Sequence, residues 1–252
     1  SMSSEKTLAI VLRTIEFSET SLVVTLFTED FGKISALAKG ARRPKGPFDG
    51  ALDLLSICRV VFLPKSSGTL DLLTEAKLER CFRAAIRNLK SLNAAYYVAE
   101  MLRELTDEHD PHPELFRFAQ NTLVSLDALE TGQNQEVSQY VMRFELAALR
   151  LLGHAPTLRD CAGCGKQLRI ARRVTFGLIA GGVLCEQCRQ GKRQVASISA
   201  GAISAMLQLA SDEQLSDDFT MTPAVAGEIR GLLNQYMCNV LGHRPKTQAL
   251  LS

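Results

Sequence analysis

Cys161-Ala162-Gly163-Cys164 and Cys185-Glu186-Gln187-Cys188 stand 20 residues apart in a chain of 252. A C-x2-C turn aims two thiolates at one point, and two such turns supply the four soft ligands of a tetrahedral zinc ion. Gly163 and Gly165 suit these turns because glycine enters positive φ without a Cβ penalty. Four protein ligands leave no position for water, so the expected cofactor is one structural Zn²⁺ rather than a catalytic one. Two disulfides or a redox dithiol are the alternatives. Zinc is favoured because the polar start Ser1–Glu5 lacks the apolar core of a secretory signal, which points to a reducing, cytoplasmic setting. Cys58, Cys81 and Cys238 are isolated in apolar or helical contexts and read as inert core residues.

The second chemical signal is Lys39-Gly40-Ala41-Arg42-Arg43-Pro44-Lys45-Gly46-Pro47-Phe48. Arginine forks match phosphate oxygens two at a time. The glycines let a strand approach the backbone, and Phe48, with Phe17 and Phe31 as further candidates, could stack on a base. From Lys33 to Lys45 no acid interrupts the run. Thr106–Glu114 gathers two histidines and four acids. It lacks helical ligand spacing and reads as a polar loop, with a metal site as the less favoured alternative. No Gly-x4-Gly-Lys-Ser/Thr loop, Gly-x-Ser-x-Gly or His-Glu-x2-His motif occurs, so neither nucleotide hydrolysis nor a familiar nucleophile is indicated.

The net charge of +2 conceals strong patterning. Residues 1–78, 79–156, 157–195 and 196–252 carry +1, −3, +6 and −2. Local rather than net charge governs binding to a polyanion. Around the cysteines, Arg172 and Arg173 are the favoured contacts, although some of that charge offsets four thiolates. Hydrophobic residues make up 46% and charged residues 22%, which excludes a disordered chain. No apolar run reaches the roughly 18 residues of a membrane span.

These groups need elements to position them. Leu8–Arg13, Ser21–Thr28, Lys33–Leu37, Leu52–Leu63 and Thr69–Leu73 read as five short strands. Together with one long basic loop they fit a small closed barrel, most simply an oligonucleotide-binding (OB) fold. From Phe82 to Gly153 apolar residues recur at 3–4 spacing, which predicts about four helices. The cysteine module should hold a ribbon hairpin over Arg172–Phe176 and Leu178–Leu184. Ser199 and Thr222-Pro223 start two further helices expected to pack back on the bundle, with a frayed tail from Lys246. The expected class is α+β multidomain: barrel 1–78, helical domain 79–156, zinc-finger module 157–195 and C-terminal helices 196–252.

The order of a barrel with Leu26-Phe27-Thr28-Glu29-Asp30-Phe31-Gly32-Lys33, then Lys39-Gly40-Ala41-Arg42-Arg43-Pro44-Lys45, a helical bundle and four cysteines resembles the bacterial RecO family of repair and recombination mediators. The resemblance implies an OB-fold domain, a helical domain and an embedded zinc finger. It implies binding of single- and double-stranded DNA and annealing of complementary strands, without catalysis. Implied partners are RecR, the acidic C-terminal tail of single-stranded DNA-binding protein and, indirectly, the RecA recombinase, in the nucleoid rather than at a membrane. Family DNA contacts correspond here to Lys39, Arg42 and Arg43, with Lys33 and Lys45 as further candidates. A zinc-ribbon nucleic-acid-processing enzyme and a protein-binding adaptor are the rival readings.

Overall fold

The computed structural model of the chain describes residues 3–43, 46–48, 50–65, 70–211, 215 and 219–251. Two compact units emerge, Ser1–Val137 with Ala249–Ser252, and Ser138–Gln248. In the first, β1 (Glu5–Glu16), β2 (Leu22–Thr28), β3 (Gly32–Ala38), β4 (Ile57–Leu63) and β5 (Asp71–Arg80) close into a barrel of order β1-β2-β3-β5-β4. All neighbours are antiparallel except β3 and β5. This is the five-stranded OB barrel expected from the sequence. β3 shows the cause most plainly. Gly32, Ile34, Ala36 and Ala38 are buried while Lys33, Ser35 and Leu37 are only partly so, the two-residue period of a strand with one face in a core.

The strand limits differ from the expectation in three places. The longest strand is β1, with 12 residues. It pairs with β4 through Glu5–Ile10 and with β2 through Ala9–Glu16, with a bulge between Val11 and Arg13. The run from Leu52 is not strand until Ile57. Its first apolar residues, Ala51 and Leu52, join Phe48 in the barrel core, so their hydrophobicity reflects a plug made by a loop. β5 starts at Asp71 and continues to Arg80, past the expected Thr69–Leu73; residues 66–69, where that strand and the turn before it were expected to begin, lie outside the described residues.

Beyond the barrel, Phe82–Leu89 is not the predicted helix. Ala84–Ile86 is a single 3-10 turn, and α1 (Leu89–Leu105) starts after it, capped by Asn88, whose side chain accepts from Ser91 N. α2 (Pro113–Ala128) begins on its proline as expected. The segment between holds three α-helices and this turn rather than four helices. The turn is fixed by Asp127 of α2. Its buried carboxylate accepts Arg83 N at 2.6 Å, Ala84 N at 2.8 Å and Arg80 Nη2 at 3.3 Å. α2 also lies on the barrel through Phe116 against Phe27, with ring centroids 6.1 Å apart. Each such buried ring contributes about 2–3 kcal/mol by removal from water.

The second unit contains most of α3 (Asn134–Leu151), the cysteine module, a sheet of order β7-β6-β8, and helices α4 (Ala200–Leu209) and α5 (Pro223–Leu241). The hairpin β6 (Arg173–Gly177) and β7 (Gly182–Leu184) is the expected ribbon, whereas β8 (Val195–Ser199) was not anticipated. α5 joins the parts. Arg230 Nη2 meets the buried Glu145 of α3 at 2.6 Å. Tyr236 donates to His154 O at 3.0 Å and packs edge-on against Phe176 of β6. The tail is not frayed: Lys246–Leu251 is a 3-10 helix, and buried Gln248 donates to Asn234 O.

Asp127→Ala leaves the part-buried Arg83 N–H and the buried Ala84 N–H without their carboxylate, so the first unit should lose about 2–4 kcal/mol in urea unfolding; an unchanged midpoint would refute the staple. Burial pushes the Cys58 thiol from 9.0 up to about 12. A raised folded pKa means its contribution to stability is complete below about pH 9 and is lost between pH 9 and 12. Native protein should therefore leave Cys58 unalkylated by iodoacetamide at pH 8, and labelling without unfolding would contradict its burial.

Candidate nucleic-acid interface and metal centre

The basic loop is anchored to one end of the barrel. Gly40 has φ 74°, and Arg43 N donates to Gly40 O at 3.0 Å, closing a tight turn. Arg42 N donates to Thr20 O at 3.1 Å, tying this turn to the β1–β2 hairpin. The Arg42 guanidinium lies 3.3 Å from Glu16 and reaches Ser18 O at 3.5 Å. Its side chain is 40% exposed and that of Glu16 is 72% exposed. A pair this open is worth at most about 1 kcal/mol, so phosphate can displace the carboxylate. Lys39 and Arg43 are exposed and have no ionic partner among the described residues. Lys45 lies outside those residues.

Two sequence expectations fail here. Phe48 is 4% exposed within the barrel core, so it cannot stack on a base; Phe31 is likewise turned edge-on to Phe62, with centroids 5.3 Å apart. Lys33 does not face a ligand. Its Nζ donates to Arg103 O at 2.7 Å and to Thr106 O, neutralising the carbonyl end of α1. Burial is the main reason its pKa falls, against the raising influence of Glu108 and its acidic neighbours.

The 107–112 loop is explained by the same contact. His109 N donates to Lys33 O, and Ser35 Oγ bonds Glu108 at 2.7 Å. A Cβ on Gly32 would stand 2.2 Å from Asp110 O, so only glycine admits the loop there. Among the described residues, the four cysteines are the one cluster found with metal-ligand geometry.

Their Sγ atoms all lie within 4.8 Å of one another, and Cys164 is 3.9 Å from Cys185. Zinc–sulfur bonds of about 2.3 Å in a tetrahedron require thiolates roughly 3.8 Å apart, so the residues fit the ion. The knuckles supply amides as well: Gly163 N and Cys185 N point at Cys161 Sγ, and Cys188 N at Cys185 Sγ. A Cβ on Gly163 would lie 2.9 Å from Cys188 Sγ, which leaves the thiol cradle room only for glycine. Burial pushes the Cys161 thiol up, but these amides outweigh it and bring it down to about 6. Hydrogen bonds among the crowded thiols push Cys188 up to about 12. Cys161, Cys164, Cys185 and Cys188 would hold Zn²⁺, whose chemistry there is to cross-link the ribbon.

Beside this centre opens a cleft of about 720 Å³ lined by Lys166, Arg169, Arg172, Arg173 and Arg189, with Glu186 the one acid among the described lining residues. Arg172 and Arg173 are both exposed. Arg173 serves the scaffold: it donates to Ser197 Oγ and Ser197 O at 2.9 Å each and to Glu228 at 2.6 Å. The Ser199 hydroxyl, opposed by burial and aided by Arg173, keeps the Glu228 carboxyl below its ordinary value. Arg173 pairs with Ser199 of β8, so it carries this structural load while its half-exposed guanidinium still faces the cleft.

Known proteins bear on these features. A family model described as "Recombination protein O N terminal" matches residues 2–82, and one described as "Recombination protein O C terminal" matches residues 86–249. A protein of Rhodopirellula baltica named DNA repair protein RecO is 45% identical, with 97% of each chain covered. Its namesake from Myxococcus xanthus is 32% identical over 95% of this chain and 93% of its own, and that of Salinibacter ruber 32% over 92% and 86%.

Elemental analysis should find one zinc per chain, and Cys185→Ser should lose it while the barrel unit keeps its unfolding transition. Full zinc retention in that variant would break the four-ligand assignment.

Proposed function

The chain belongs to the recombination protein O family of DNA repair proteins, and from that premise we propose that it is a non-catalytic mediator that binds single- and double-stranded DNA and anneals complementary strands. The observation that carries this reading is the Gly40–Arg43 turn: Lys39, Arg42 and Arg43 stand exposed at one barrel end, their backbone fixed to the neighbouring hairpin. A preset cationic edge binds phosphate without first ordering a loop.

Lys39, Arg42, Arg43 and Lys45 take the phosphates of one strand. Arg172, with the other cations of the cleft beside the cysteines, offers a second cationic surface to polyanion. Each surface neutralises backbone charge, which lowers the repulsion that opposes pairing of two strands. None of these groups addresses a base edge, so binding is indifferent to sequence. Four thiolates complete the zinc sphere, leaving the ion structural. Resemblance to the family supports RecR and the acidic tail of single-stranded DNA-binding protein as partners, RecA loading as the outcome, and a cytoplasmic, nucleoid location.

Arg42→Glu with Arg43→Glu tests the barrel edge. Affinity for single strands should fall about tenfold or more, alike for unrelated sequences, and the slope of log K against log salt should become shallower by roughly 1.4. Annealing of strands coated by single-stranded DNA-binding protein should slow in parallel. Wild-type affinity and slope in the double variant would remove the barrel edge from the mechanism.

A further inference from the structure

With Phe48 and Phe31 packed inward, one aromatic remains open beside the arginine turn. Phe17 is 64% exposed. It follows β1 directly, and its N–H donates to Ser21 O at 3.0 Å, one step past the last β1–β2 pair, Glu16 with Leu22. Alternation places Arg13, Ile15 and Phe17 on one face of β1. Strand register then carries that face across the barrel: Ile15 stands opposite Val23, and Val23 opposite Leu37. Ile15 is 44% exposed, and Val23 and Leu37 are partly exposed, while the alternate residues Val24 and Ala36 fill the core. The outer wall of β1, β2 and β3 therefore carries an apolar row that ends in an open phenyl ring.

Charge says what covers it. The Arg42 guanidinium touches Glu16 and Ser18 O, the residues on either side of Phe17, and its backbone N–H donates to Thr20 O. Arg13 is exposed on the same face, with Arg43 and Lys39 exposed in the adjoining loop. Glu19, exposed at the hairpin tip, repels phosphate, so the backbone runs on the arginine side and the bases turn toward the ring. A flat apolar surface bordered by arginines matches unpaired nucleobases joined by phosphates.

Building on the DNA-binding reading above, we propose that Phe17 is a base-stacking residue and that the Ile15–Val23–Leu37 row beside it is the floor for neighbouring unpaired bases. Phosphate contacts alone hold single strand and duplex by the same charges. Stacking adds affinity only while a base is free, because a paired base already lies in its own stack. The barrel then grips a strand before annealing and loosens its hold once the duplex forms.

The test uses full-length protein and three probes of equal length: oligo-dT, the corresponding deoxyribose-phosphate chain without bases, and a duplex. Phe17→Ala should weaken oligo-dT binding about tenfold, the worth of one base–aromatic stack, with the salt slope, the baseless chain and the duplex unchanged. Phe17→Trp should retain wild-type binding. The inference is overturned if Phe17→Ala binds oligo-dT normally, if it loses equal affinity for the baseless chain, or if it instead abolishes self-association in sedimentation. The Arg42→Glu, Arg43→Glu protein separates the two readings: normal binding of all probes there sinks the DNA-binding premise, whereas loss there with an intact Phe17→Ala sinks only the stacking.

Discussion

The barrel depends on a short parallel joint, Ala36–Ala38 of β3 against Asp71–Leu73 of β5. Every other junction is antiparallel and could form in an open sheet. Closure at this joint pairs the edges that a five-stranded sheet would otherwise expose. It also obliges the chain to leave β3, cross an end of the barrel and return as β4. The crossing carries both a plug and a cationic surface. Phe48, Ala51 and Leu52 seal the core, while Lys39, Arg42 and Arg43 stay outside. The described parts of one loop thus seal the core and display cations.

A different constraint governs the cysteine module. Four thiols within 4.8 Å cannot all ionise in one another's company without a cation, so their titration spreads from about 6 at Cys161 to about 12 at Cys188. Amides aimed at sulfur and glycine at position 163 supply the donors and the room that a tetrahedral ion demands. Arg169, Arg172, Arg173 and Arg189 all line open space, and Arg173 in addition holds β6 to β8 and to Glu228 of α5.

The three stacking candidates show how far a linear reading reaches. Phe48 stood beside the arginines in sequence, and proximity made it the favoured choice. Its ring is nevertheless drawn into the barrel, because the loop turns back and a buried phenyl gains more from the core than an exposed one gains from solvent. Phe17 lies 25 residues upstream of Arg42, and only the hairpin contact brings them together. The alternation Arg13, Ile15, Phe17 was available as a signal, but which face points outward depends on the bulge at Val11–Arg13. Lys33 followed the same pattern in reverse: its charge counted toward a basic run, while its ammonium is committed to helix carbonyls 70 and 73 residues away.

By itself the sequence determined the barrel, most of the helical stretches, the caps at Ser199 and Thr222 and the clustering of the four cysteines, since each follows from local periodicity, spacing or turn chemistry. Tertiary structure decided which cations and rings remain available. Solvent access is set by whatever packs from distant parts of the chain: Asp127 on the Arg83 turn, the 107–112 loop on Gly32, Glu228 on Arg173. No local pattern encodes that competition between a charge's own chain and a passing phosphate.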